Sequence, residues 1–66
     1  MAKTPQMGNK LRILRKDRGL SQVKLASNMG ISASYLNLIE HNQRNLTVPL
    51  LLRISEILNI PLQAFS

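Results

Sequence analysis

No cysteine occurs in the 66 residues, so neither a disulfide nor a cysteine-held metal can staple so small a core. That absence fits a reducing, intracellular setting. Histidine appears once, as His41, and acids appear three times, as Asp17, Glu40 and Glu56. No grouping of these residues resembles a nucleophile with its base or a set of metal ligands, so the sequence predicts no catalysis, no metal and no cofactor. No apolar run reaches the length of a membrane span, and the start lacks a secretory pattern. The expectation is a soluble, cytoplasmic single domain near the lower size limit for a core without staples.

Against three acids stand nine Lys and Arg, a formal net charge of +6. Charge alone leaves two readings open: a solvated basic surface kept for solubility, or a polyanionic partner. Its placement is uneven. Lys3, Lys10, Arg12, Arg15, Lys16 and Arg18 all precede residue 21 and would gather positive potential on one helix and its lead-in.

The stretch from Ser21 to Asn42 organises the rest. Ser21 precedes a run with Val23, Leu25, Ala26 and Met29 at helical spacing, and its hydroxyl can cap the first turn. Gly30 follows, where a chain leaving a helix usually needs positive φ. Ser32 can cap a second helix with Leu36, Ile39 and Glu40 on its inward stripe, at about 100° per residue. The opposite side carries Ser34, Leu38 and His41, flanked by Tyr35 and Asn37, with Ala33 near the open start. Two short helices joined by a tight turn, with a small polar face outward, form a helix-turn-helix. Flanking helices must complete its core.

Residues 1–7 are expected to be a flexible basic arm, whose Lys3 either reaches phosphate or does nothing, and residues 8–66 the domain. Helices are expected at about 8–18, 21–29, 32–41, 47–58 and 61–65, an all-α fold. The first has Leu11 and Leu14 inward, with Met7 beside them, and ends at Gly19. Arg15 lies beside this stripe, and Glu40 is the one acid on the inward stripe of the motif's second helix. A buried glutamate without a partner is costly, so the two are expected to form a structural ion pair. Thr47 caps the fourth helix, Pro49 is tolerated in its first turn, and Leu51, Ile54 and Leu58 face inward. Leu50, Leu52 and Ile57 exceed one narrow stripe, and either widen the core contact or face a second subunit or a missing part of the chain. Asn59 occupies a C-terminal position where glycine is commoner, and Pro61 opens a final short turn with Leu62 and Phe65. Ending there, the chain reads as a minimal domain or as the N-terminal piece of a longer protein.

These residues spell L-R-x-L-R-x-x-x-G-L-S-Q-x-x-L-A-x-x-x-G-I-S-x-S-Y-L-x-x-I-E-x-x-x-R, followed by a capped, leucine-rich helix. The pattern resembles the lambda-repressor-like DNA-binding domains of the Cro/C1, or XRE, family of transcriptional regulators, over about Gly8 to Phe65. The resemblance implies a compact five-helix fold whose third helix enters the major groove. It implies that Gln22 meets a backbone phosphate and braces the first residues of the reading helix. It places Ser32, Ala33, Ser34 and Asn37 at base-reading positions, and Tyr35, Gln43 and Arg44 at sugar and phosphate. Arg15 and Glu40 match the family's interhelical ion pair. Ala33 and Ser34 depart from the long amide or basic side chains of many relatives, and Asn42 replaces a common glycine, so the turn there is expected to differ. The stretch S-Y-L-N-L-I-E-H-N-Q-R-N-L-T-V-P-L-L-L further resembles the N-terminal domain of longer bacterial regulators of short-chain acyl-CoA metabolism, which would place effector binding and dimerisation elsewhere.

The expected function is therefore binding of double-stranded DNA, as a homodimer on paired half-sites. Phosphate contacts would come from Lys10, the polar stretch with Gln43 and Arg44, and His41, whose other roles are a helix C-cap or a plain surface residue. Asn37 suits adenine, Ser34 can donate or accept, and Leu38 or Ala33 can meet a thymine methyl. The competing reading is a protein-interaction module, antitoxin-like or anti-repressor, using the apolar surplus of the fourth helix. A membrane-surface helix is weaker, because Leu11 and Leu14 are needed by the core.

Overall fold

A computed structural model describes residues 7–65; the basic arm expected at the N-terminus therefore lies, except for Met7, outside the described residues. Four α-helices follow in order: α1 (Met7–Asp17), α2 (Gln22–Met29), α3 (Ala33–Glu40) and α4 (Val48–Leu58). A 3-10 turn, Leu62–Phe65, closes the chain. The fold is all-α, but the fifth element is this single turn rather than a fifth α-helix. The four residues of this turn follow Pro61 directly, and the Ala64 amide donates to the Pro61 carbonyl at 3.0 Å, the tighter i to i+3 pattern.

Capping residues set the helix starts. Ser21, Ser32 and Thr47 hold extended dihedrals, and each side chain accepts from a first-turn amide, Lys24, Tyr35 and Leu50 respectively. The caps lie outside the helices they begin, which is why α2, α3 and α4 start one residue later than the sequence pattern suggests. At the other end, α1 begins at Met7 and stops at Asp17, with Arg18 already in the turn.

All four helices end in one way. A left-handed residue follows, Gly19, Gly30, Asn42 or Asn59, with φ between 55° and 77°. The next amide reaches back to a carbonyl of the last turn: Leu20 to Arg15, Ile31 to Ala26, Gln43 to Leu38 and Ile60 to Ser55, at 2.8–3.1 Å. This is the Schellman arrangement, which satisfies carbonyls the helix leaves open. Asn42 thus reproduces the turn a glycine would make, so replacing that glycine does not reshape it.

The core consists of Leu11, Leu25, Ala26, Met29, Leu36, Ile39, Ile54, Leu58 and Phe65. α2 and α3 pack on each other, α1 lies against α3, α4 against α2, and the 3-10 turn against α1 and α4. Val23 departs from its expected stripe and is 68% exposed. Helical rotation puts it about 160° from Leu25, so an eight-residue helix already filled by Leu25, Ala26 and Met29 turns it outward. On α4 the apolar surplus divides: Leu50 and Ile57 pack against the core, while Leu52 is exposed.

Two arginines tie helix ends together. Arg18 donates from Nε to the Leu58 carbonyl at 3.1 Å, and Arg53 donates to the Met29 carbonyl at 3.3 Å. Both help to close helix C-termini whose carbonyls carry partial negative charge. With Arg15 buried, part of the basic run on α1 therefore serves the fold and not the surface potential.

Candidate nucleic-acid interface

The centre of the candidate site is a buried ion pair. Arg15 donates to Glu40 through Nε at 2.7 Å and through a second guanidinium nitrogen at 3.0 Å, and its third nitrogen donates to the Leu20 carbonyl at 2.9 Å. Both residues are buried, and a two-pronged guanidinium–carboxylate contact is the geometry that compensates such burial best. The pair fixes α3 against α1.

Gln22, the first residue of α2, adds the third helix to this junction. Its Nε2 donates to Glu40 Oε1 and to Asn37 Oδ1, each at 3.1 Å. The brace therefore acts on Asn37 and Glu40, in the second half of α3, and not on its first residues.

On the outer side, Ala33, Ser34, Asn37 and Leu38 line one open groove of about 420 Å³ together with Gln22. Ser34 and Asn37 are exposed, and Ala33 and Leu38 are half-buried. Ser32 stands at the helix start, with its oxygen committed to the Tyr35 amide at 3.0 Å, which leaves its O–H as the group free to donate. Tyr35 is half-buried against the core.

His41 is exposed, and its Nδ1 lies 2.8 Å from the Asn37 carbonyl. A carbonyl only accepts, so Nδ1 carries the hydrogen, and Nε2 becomes a donor only in the imidazolium form. Gln43 and Arg44 are exposed in the connection that follows α3. A smaller depression of about 140 Å³ joins that connection to the start of α1, lined by Met7, Gly8, Ile39, Asn42, Arg44 and Leu46 among others. Lys10 belongs to the same first turn of α1. Of the groups assigned to base reading, Ala33, Ser34, Asn37 and Leu38 thus share one groove while Ser32 lies outside its lining; of those assigned to phosphate, Gln22 lines that same groove and Arg44 the smaller depression.

The profile of the helix-turn-helix family HTH_3 matches residues 11–65. The chain belongs to that family. It is 48% identical over 66 residues to the HTH-type transcriptional regulator RamB of Mycobacterium tuberculosis, all of this chain and 14% of RamB. It is 48% identical over 59 residues to the HTH-type transcriptional regulator PrpR of the same species, 89% of this chain and 12% of PrpR. The chain therefore spans about one seventh of these relatives. Among solved structures it resembles the restriction-modification controller protein C.AhdI from Aeromonas hydrophila, with a TM-score of 0.86, 34% identity and 94% of each chain covered.

Within the HTH_3 fold, two features of the interface went unread in the sequence. One is the pairing of Gln22 with Asn37 and Glu40, which joins residues 15 and 18 positions apart. The other is Gly8, whose amide donates to Asn42 Oδ1 at 3.1 Å. Hydrophobic periodicity reports neither, because both depend on how α1, α2 and α3 meet. Among the described residues, no three His, Asp or Glu side chains are grouped to hold a metal ion, and no helix is long and apolar enough to cross a membrane.

Proposed function

We propose that this chain is the sequence-specific, double-stranded DNA-binding domain of a bacterial transcriptional regulator, with α3 as the helix that enters the major groove. One observation carries the reading. The outward side of α3 gathers small and uncharged groups, Ala33, Ser34, Asn37 and Leu38, in a single open groove. The other side of the helix is clamped by a buried ion pair. A major groove accepts a helix of this kind, and such side chains suit base edges better than phosphates. Family membership and the regulators it resembles support the same assignment, that of a binding domain and not an enzyme.

Affinity comes in two layers. Lys10, Arg44, Gln43, Tyr35 and, as imidazolium, His41 meet sugar and phosphate, releasing counterions and making binding steeply salt-dependent. Asn37 reads adenine, the Ser34 hydroxyl donates or accepts, and Leu38 or Ala33 meets a thymine methyl. Each good contact of this kind is worth roughly 1–3 kcal/mol of discrimination. Ser32, with one lone pair tied to its cap, contributes its O–H and its remaining lone pair.

So short a reading set calls for two domains. The regulator binds as a homodimer on paired half-sites roughly 34 Å apart, in the cytoplasm where bacterial DNA lies. Effector sensing, for which the sequence suggests short-chain acyl-CoA metabolism, falls to the remainder of a longer protein.

Selection from randomised duplexes at two salt concentrations, with Asn37→Ala alongside, tests the assignment. A paired motif that loses an adenine preference in the variant is the expected result. Unselected DNA with steep salt dependence would leave only a basic surface. A second reading, protein recognition through α4, rests on Val48 and Leu52, exposed by 66% and 48% one helical turn apart. Replacing both with serine would abolish its binding and leave operator selection intact.

A further inference from the structure

We propose that the buried Arg15–Glu40 pair dictates, through Gln22, which way the Asn37 amide faces a base, making Gln22 a specificity-determining positioning residue. This rests on the DNA reading above and deepens it.

The chain of polarity has a fixed beginning. A guanidinium only donates, and the carboxylate it holds only accepts. The Gln22 atom 3.1 Å from Glu40 Oε1 must therefore be its NH2 group. The same nitrogen lies 3.1 Å from the Asn37 side chain, so the Asn37 atom facing it must be an acceptor, Oδ1. Turning either amide over would set donor against donor or acceptor against acceptor, next to a buried charge pair that cannot adapt. Each amide is thus oriented by its partners, from Arg15 outward to the groove.

Two consequences follow. Both Gln22 N–H groups are used inside the protein, which leaves its side chain one free polar atom, the acceptor Oε1. A phosphate would be repelled by it, so any phosphate at this end of α2 is met by backbone amides of the first turn and not by the Gln22 side chain. Asn37, meanwhile, keeps one Oδ1 lone pair beside an outward Nδ2, in a set order. That order pairs with adenine, whose N6 donates and N7 accepts. Without the lock the amide can turn, bring Nδ2 toward the 6-position and donate to guanine O6. Adenine preference then relaxes toward either purine.

The test compares the wild type, Gln22→Met and Asn37→Ala by selection from randomised duplexes, then by titration of the selected site and its adenine-to-guanine variant at several salt concentrations. Gln22→Met keeps the length of the side chain and removes its hydrogen bonds, and thermal unfolding checks that it stays folded. The expected result is a loss of about tenfold or more in adenine-over-guanine discrimination at the Asn37-dependent position, with the salt slope unchanged. Uniform weakening on all sequences, with the slope reduced by about one, would overturn the proposal and make Gln22 a phosphate contact. If Asn37→Ala changes no base preference, the Asn37 reading fails and takes the proposal with it, and that arm alone tells the two failures apart. A readout without DNA is the 15N spectrum of the free protein. The Asn37 NH2 resonances should shift in Gln22→Met, and coincident spectra for that group would also overturn the lock.

Discussion

The Asn42 carboxamide oxygen accepts from the Gly8 amide at 3.1 Å, joining the end of α3 to the start of α1. This contact is close because Gly8 has no side chain. A Cβ built there would collide with the Ile39 carbonyl oxygen and crowd Asn42 Oδ1 at 2.9 Å.

Gly8→Ala should therefore destabilise the domain, although alanine is the better helix former by about 1 kcal/mol. The obstacle is backbone on a packed helix, so relief requires α1 to move, at roughly 1–3 kcal/mol. For a domain of this size each kcal/mol is worth about 4–8 °C in Tm. Calorimetry reads the outcome directly, and a Tm equal to or above the wild type would mean that α1 shifts freely.

Asn42 itself has two separable duties. With φ at 61° it holds a left-handed position, and its side chain caps Gly8. Asn42→Gly keeps the first and loses the second, whereas Asn42→Ala loses both. Stability should fall in the order asparagine, glycine, alanine, with the last step about 1–2 kcal/mol. Urea unfolding of the three proteins checks the order, and an alanine variant as stable as the glycine one would remove the backbone explanation.

The Arg15–Glu40 pair makes a sharper claim. Removing either partner leaves a buried charge alone, at about 3–5 kcal/mol, a large part of the stability available to a small domain. Arg15→Met with Glu40→Leu removes both charges and should recover most of that loss. A double-mutant cycle measured in urea decides the matter: single effects that simply add would show no coupling.

What the sequence made legible and what it hid divide along a physical line. Ser21, Ser32, Thr47, Gly30 and Asn59 act on backbone within a few residues of themselves, so their capping and stopping roles could be read in order along the chain. The inward stripe of α3 was equally legible, including the buried acid that called for Arg15. Val23 was misread because apolar spacing alone does not say when a short stripe is already full. The final turn was read as a helix because Pro61, Leu62 and Phe65 mark a start and a buried end but not the hydrogen-bond pitch between them. The role of Gly8 stayed hidden, and for Gln22 the resemblance implied a brace on the reading helix but not its partners, since both contacts are defined by atoms of helices far along the chain.

Charge offers the last discrimination, because two arginines of equal charge should behave in opposite ways. Arg18 donates to the Leu58 carbonyl at 3.1 Å, which closes the C-terminus of α4, and pairs with its neighbour Asp17 at 3.2 Å. Arg44 is exposed beyond α3, in the connection bordering the reading helix. Arg44→Ala should weaken binding to all duplexes alike and lower the slope of log K against log salt by about one, with Tm unchanged. Arg18→Ala should lower Tm and leave the slope nearly as it was, since a guanidinium engaged with protein carbonyl and carboxylate releases few counterions. Salt titrations of both variants on one duplex, beside their thermal unfolding, separate the cases. Equal slope changes would mean that binding responds to net charge alone, and the phosphate contacts would lose their assignment to particular residues.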